Sequence, residues 1–403
     1  MIKLNKIYEA KRQIADFVIK TPLSHSYFLS QFLGRNVYLK SENLQITGAY
    51  KIRGAFNKIA NLSKEQKALG VIAASAGNHA QGVALAARHF GIEAVIVMPE
   101  STPLLKVIGA KNLGARVILK GDNFDEAFSF AKAYAKEKNL TFIHPFEDEE
   151  VMAGQGTIAL EIFDELANTD MIIAPVGGGG LISGIASAAK QINPKIKIIA
   201  VSAKGAPAMY ESFFAKKTIN STSVRTIADG IAVRDADPIN LKLILESVDD
   251  FLQVDDEEIA EAVLFLLEKH KLVVEGAGAA SVASLLHKKI KLKNEKNIVA
   301  ILSGGNIDSQ MLNIIIEKGL FKAHRKMLIS VTLVDKPGAL LTLSEVLKEA
   351  GANIIKIDYD RFSTKLNYGD AMISITLETK GKEHQELVRE LLKKNKFIFS
   401  END

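Results

Sequence analysis

The sequence predicts an α/β chain in two parts: a doubly wound region of mostly parallel strands to about residue 320, then a ferredoxin-like βαββαβ module. Three observations predict it. Short aliphatic runs alternate with longer helical patterns from about residue 36 to 320, and several runs are apolar throughout, as in sheets covered on both faces. After residue 321 the order changes to strand, helix, strand, strand, helix, strand.

The elements follow in order. Ile2, Leu4, Ile7, Ile14 and Phe17 recur at helical spacing among charges, with no continuous apolar core for a signal peptide. Strands are expected at 36–40, 71–75, 94–98, 116–120, 171–176, 196–202 and 297–303. Helices are expected at 81–90, 125–138 and 255–270, the last with acidic residues in its first turn, where the helix dipole favours them. The polar segment 321–326 reads as a linker, and 327–403 as the appended module.

Composition excludes several function classes. A length of 403 residues is too long for one ordinary core, and 47% hydrophobic residues are ample for two or three. The 51 basic against 47 acidic residues leave no basic face, and no Lys/Arg run is interleaved with aromatics, so nucleic acid is not an expected partner. No stretch approaches the ~20 apolar residues of a membrane span, so a soluble cytoplasmic protein is expected. Cysteine is absent, which removes disulfides, thiolate metal sites and a cysteine nucleophile.

Three loops follow apolar strands and lead towards helices, where open α/β sheets bind ligands. In Pro175–Leu181, the residues Gly177, Gly178, Gly179 and Gly180 let the backbone approach a ligand, and a helix start favours an anion such as phosphate. The spacing does not suit a dinucleotide, because Ser183 stands where the third glycine of G-x-G-x-x-G belongs. The loop Ser75, Ala76, Gly77, Asn78, His79 offers a socket for a carboxylate. Its rival reading, Ser75 as a hydrolase nucleophile in A-x-S-x-G, lacks well-placed partners. The third loop is Ser303–Asn306. A fourth element supplies a reactive group: Lys51, after Tyr50 in an apolar helical segment, where a desolvated amine loses its proton more readily.

Together these residues resemble the fold-type II pyridoxal-phosphate enzymes, and among them the threonine ammonia-lyases. The likeness spans about residues 5–320, with TGAYKIRGA around Lys51, SAGNHAQG at 75–82, PVGGGGL at 175–181 and SGGN at 303–306 in order. It implies a catalytic domain at 1–320 made of two doubly wound, mostly parallel open sheets, with a smaller subdomain inserted at about 50–150. It implies pyridoxal 5'-phosphate as cofactor and Lys51 as its covalent partner. Gly177 to Gly180 with Leu181 would cradle the phosphate, Asn78 would contact the ring hydroxyl, Ser303 would face the ring nitrogen, and Tyr50 would pack near the ring. Ser75, Ala76, Gly77, Asn78 and His79 would bind the substrate carboxylate.

The expected reaction is conversion of L-threonine to 2-oxobutanoate and ammonia, with serine as a side substrate, in isoleucine biosynthesis or threonine breakdown. Serine racemase is the rival within the fold, but Ala76 stands where racemases carry a second serine, and Ser202, Ala206 and Ala208 replace metal-binding carboxylates, so no metal is expected. Residues 327–403 resemble an ACT domain, which implies an amino-acid effector near Asp335, Gly338, Ala339, Leu340, Asn353 and Ile354, and a homo-oligomer, dimer or tetramer. An amino-acid sensor with a silent catalytic half is the alternative of another class.

Overall fold

A computed structural model describes residues 1–364 and 366–401 and divides the chain into two compact units, Met1–Asp308 and a second beginning at Ser309. The first unit carries, in chain order, β1 (Leu23–His25), β2 (Asn36–Lys40), β3 (Val71–Ala74), β4 (Ala94–Met98) and β5 (Arg116–Leu119). It continues with β6 (Thr141–Phe142), β7 (Met171–Pro175), β8 (Lys197–Ala203), β9 (Asp250–Val254) and β10 (Asn297–Ile301). The second carries β11 (Lys326–Val334), β12 (Asn353–Asp360), β13 (Asp370–Glu378) and β14 (Ile398–Glu401).

Two sheets build the first unit. One has the order β1-β2-β10-β7-β8-β9 and is parallel except for the edge pair β1–β2; the other, β5-β4-β3-β6, is wholly parallel. Every residue of β3, β4, β7 and β10 is buried, because helices cover both faces. The two open, mostly parallel sheets expected from the sequence are therefore present. β1, β6 and β9 were not among the expected strands, and the helix expected at 255–270 is α-helical only over Asp256–Phe265, passing into a π turn at Leu266–His270.

The helix Lys51–Ala60 packs Ile52, Ala55, Phe56 and Ile59 into the core of the four-stranded sheet, with Val83 and Ala87 of the helix Asn78–His89. The larger core combines Ile172, Ile198 and Ile301 with Ile158 and Ile162 of the helix Glu149–Glu165 and Ile182 and Ile185 of the helix Gly180–Ile192. The helix that begins at Lys51 and the helix that follows the tetraglycine loop thus pack into different cores of one unit.

A four-charge cluster lies between these elements. Arg53 is fully buried and donates to Glu42 at 2.8 Å through both Nε and Nη2, and to Glu161 at 2.6 Å and 2.9 Å. Lys40, also fully buried, donates to Glu161 and to the Thr21 carbonyl, each at 2.6 Å. Two cations and two carboxylates balance, as burial demands.

The second unit runs β11, helix Ala339–Ala350, β12, β13, helix Lys382–Lys394, β14, in an antiparallel sheet of order β12-β13-β11-β14. Its core joins Ile329, Val331, Ile373 and Ile375 to Leu343, Leu347, Val388 and Leu392. Residues 321–326 are not a free linker. Phe321 and Lys322 end the helix Ser309–Lys322, Lys326 opens β11, and the turn between them is bonded to Thr379 and Gly381. The division falls at 308/309 because that helix groups with the second unit. Among the described residues no helix is long and apolar enough to cross a membrane.

Candidate active site

Lys51 is the first residue of its helix, so its side chain starts at the end of the element rather than on a flank. It is half-buried, its Nζ donates to the Pro145 carbonyl at 2.8 Å, and it lies 5.2 Å from the Tyr50 ring centroid. Burial lowers its pKa to about 8, against an opposing pull from the Glu275 charge.

Phe146 continues from Pro145 to the glycine loop. Gly179 needs its left-handed φ of 93°, and a Cβ on Gly180 would come within 2.8 Å of Phe146 Cα and Cβ. Asn240 Nδ2 donates to the Phe146 carbonyl at 3.1 Å, and Asn240 Cβ lies where a side chain on Gly179 would start. One dipeptide therefore touches the Lys51 amine with one residue and packs on the tetraglycine loop with the next. The helix Gly180–Ile192 that follows has no side-chain cap, so Gly177 to Gly180 and the buried Leu181 present a helix start free of side-chain acceptors.

The loop after β3 leads into the helix Asn78–His89. Ser75 Oγ accepts the Gly77 N–H at 3.1 Å, Ala76 is half-buried, and the helix Asn78–His89 also begins without a side-chain cap. His79 turns away from this loop. It is buried, its Nε2 meets the Ile143 carbonyl at 2.8 Å, and burial, with help from the Lys51 charge, lowers its pKa to about 3. Expected as part of the carboxylate socket, it has its imidazole tied to the Ile143 carbonyl, while its backbone N–H belongs to the uncapped first turn of the helix.

The third loop is stitched to the segment bearing Lys51. Tyr50 N donates to the buried Ser303's carbonyl at 3.1 Å, Gly305 N to Gly48 O at 2.8 Å, and Ala49 bridges Gly304. Asn78 Nδ2 donates to Glu275 Oε1 at 2.7 Å. Burial raises the Glu275 carboxyl to about 7, although the Asn78 bond opposes the rise.

Sequence reasoning missed the Pro145–Phe146 dipeptide and Asn240. It also missed His144, whose Nδ1 accepts the Glu147 N–H at 2.8 Å and shapes that turn. Burial, with Lys132 and Lys51 nearby, keeps His144 neutral down to about 4. Among the described residues no cluster of three or more His, Asp or Glu side chains could hold a metal ion.

The second unit has a surface cavity of about 810 Å³ lined by Asp335, Lys336, Gly338, Leu340, Tyr359 and Arg361 among others. Asp335 accepts from Tyr359 Oη at 2.9 Å and pairs with Arg361 Nε at 3.1 Å. Ala339, Leu340 and Ile354 are partly buried against the core of the unit, and Asn353 donates to Glu378 at 3.2 Å.

The glycine cradle at an uncapped helix start suits a phosphate, and an amine lowered to about 8 suits an aldehyde, so these residues fit pyridoxal phosphate. Residues 14–304 match the family described as pyridoxal-phosphate dependent enzyme. The chain is 46% identical to the L-threonine ammonia-lyase of Thermotoga maritima over 97% of both chains. It is 49% identical to the catabolic L-threonine dehydratase TdcB of Staphylococcus aureus over 79% of this chain and 93% of that one. Among solved structures, maize serine racemase aligns with a TM-score of 0.75 at 37% identity, covering 80% of this chain and 99% of that chain. The processed threonine deaminase isoform 2 of Solanum lycopersicum aligns with a TM-score of 0.73 at 38% identity, covering 78% and 94%. The site and these likenesses agree: the chain belongs to the family of pyridoxal-phosphate dependent enzymes that includes these ammonia-lyases and dehydratases.

Proposed function

We propose that the protein is an L-threonine ammonia-lyase that releases 2-oxobutanoate and ammonia. The observation that carries this is the Pro145–Phe146 link between the Lys51 amine and the tetraglycine loop, in a chain nearly half identical to an enzyme of that name over almost its whole length.

Lys51 would hold the cofactor's aldehyde carbon, the backbone of Gly177 to Gly180 with Leu181 its phosphate, Asn78 its ring hydroxyl and Ser303 its ring nitrogen, with Tyr50 beside the ring. Once bound, that group supplies an electron sink that makes the α-proton of an amino acid removable. The residues of the chain do the rest. The amine of Lys51, when free, takes the α-proton, and a pKa about 8 leaves roughly a tenth of it neutral at pH 7. The half-buried loop Ser75, Ala76, Gly77 at an uncapped helix start receives the substrate carboxylate. A hydroxyl at Ser303 places no charge beside the ring nitrogen, which favours early loss of the β-hydroxyl over repeated proton transfer at Cα.

The racemase reading has the fit to maize serine racemase in its favour. Ala76 weighs against it, since it offers no hydroxyl to the second face of Cα. Serine is a side substrate because a pocket's preference for one methyl group is worth only ~1–3 kcal/mol. The second unit acts as an ACT domain in a homo-oligomer: an amino acid enters the 810 Å³ cavity with its ammonium towards Asp335 and its carboxylate towards Arg361, exchanging itself for the ion pair between them.

The deciding experiment is a keto-acid assay on L-threonine and L-serine with the pyridoxal-phosphate-loaded protein, with and without isoleucine or valine. Threonine should give 2-oxobutanoate at the higher kcat/KM. Keto acid from neither substrate overturns the assignment, and formation of D-serine as the main product selects the racemase.

A further inference from the structure

Asn78 is held between two partners. Its Nδ2 donates to Glu275 Oε1 and its Oδ1 accepts from Asn306 Nδ2, each at 2.7 Å, while Asn306 Nδ2 also donates to the Thr47 carbonyl at 2.8 Å. The direction of this chain is forced from one end. A backbone carbonyl only accepts, so the nitrogen of the Asn306 amide must face Thr47. Its second N–H then points at Asn78 and needs an oxygen there, which turns the Asn78 nitrogen to the other side. Of the two hydrogens on that nitrogen, one goes to Glu275 and the other has no partner among the described residues. The flipped amide would set a nitrogen against the Asn306 nitrogen.

Asn306 is itself fixed on the strip that carries Lys51. It sits over Gly48, which has a φ of 70° and where a Cβ would run into the Asn306 amide, and the neighbouring Gly305 N is bonded to Gly48 O. The strip thus sets the Asn306 amide, and that amide sets Asn78.

We propose that Asn306 is a positioning residue: anchored on the Thr47 carbonyl, it locks the side-chain amide of Asn78 so that an N–H, not the oxygen, is presented to the cofactor's ring oxygen. This rests on the reading of Asn78 as the partner of the ring hydroxyl.

The test is a double-mutant cycle read by titrating cofactor-free protein with pyridoxal 5'-phosphate and recording the absorption band of the bound cofactor. Asn306→Asp keeps the shape but cannot donate, so the Asn78 nitrogen turns to the new carboxylate. Affinity should fall at least about tenfold and the band should shift. In the Asn78→Ala background the same substitution should add less than about twofold, because the lock has nothing left to hold. If Asn306→Asp does not fold, Asn306→Ala deletes the donor without adding charge and should give a smaller loss that also vanishes on Asn78→Ala. Parental affinity and band in the Asn306 variants, or a loss that persists in full on Asn78→Ala, overturns the proposal. An Asn78→Ala protein with unchanged affinity and band overturns it at its foundation, by removing Asn78 from the cofactor while leaving the reaction assignment to the keto-acid assay.

Discussion

Replacing Arg53 by methionine leaves two buried carboxylates facing one ammonium. Arg53 serves Glu42 and Glu161 with four hydrogen bonds between 2.6 and 2.9 Å, and both it and Glu42 are fully buried. Breaking a buried pair by deleting one partner costs ~3–5 kcal/mol, because the remaining ion is unpaired in a low dielectric. Two carboxylates lose a partner here, which places the loss near ~5 kcal/mol, against a total stability of ~5–15 kcal/mol for a typical fold. The pH dependence should also change sign. Burial pushes the Glu42 carboxyl up, but Arg53, with Thr21 and Lys40, outweighs burial and holds it below its ordinary value. A lowered carboxyl stabilises the fold above its unfolded pKa, and that stability is lost as pH falls through the folded value. Without Arg53 the burial effect dominates, the carboxyl's folded pKa lies above the unfolded one, and stability is lost as pH rises. Urea unfolding of the cofactor-free protein at pH 5 and pH 8 measures both effects, with Arg53→Lys for contrast. A loss under about 1 kcal/mol at pH 7, or a variant more stable at pH 8 than at pH 5, would refute the reasoning.

Three further outcomes are expected. Gly180→Ala pushes a methyl into the Phe146 backbone at 2.8 Å, so pyridoxal-phosphate affinity should drop about tenfold or more, whereas Gly77→Ala, with nothing within 4 Å, should bind as the parent does; equilibrium dialysis distinguishes them. Because burial lowers Lys51 to about 8, its rate of reaction with pyridoxal phosphate should climb about tenfold per pH unit below that value and level off above it, as stopped-flow absorbance would record. Arg361→Met should abolish calorimetric binding of isoleucine or valine while leaving the effector-free KM for threonine in place; unchanged heats would remove Arg361 from the effector cavity.

What was legible in the sequence follows from where burial leaves a mark. β4 and β10 are buried along their whole length, so each reads as an unbroken aliphatic run with clear ends. β9 and β6 lie at sheet edges, are partly exposed and mix polar with apolar residues, so no run announces them. Lys51 stood out by its neighbours in sequence, but its hydrogen-bond partner is a backbone carbonyl 94 positions away, and a carbonyl's role leaves no trace in residue type. Arg53 reads as an ordinary helix cation; only the fold brings Glu161, 108 positions on, against it. Tyr359 and Arg361 were missed at the cavity of the second unit because they come from the end of β12, opposite the turn that drew attention.

The position of β10 decides when this protein can first become an enzyme. β10 pairs with β2 on one side and β7 on the other, yet it is the tenth strand to be made. At ~5–20 residues per second, the ~260 residues between β2 and β10 take roughly 13–50 s on the ribosome. Once β7 has been made, β2 and β7 lack the strand that joins them, while the four-stranded sheet, whose last strand ends at Phe142, already has all its members. The residues that meet Tyr50 and Asn78, Ser303 and Asn306, emerge directly behind β10. A nascent chain must therefore wait for its own central strand, with two bare edges that a chaperone could shield, before it has a place for its cofactor.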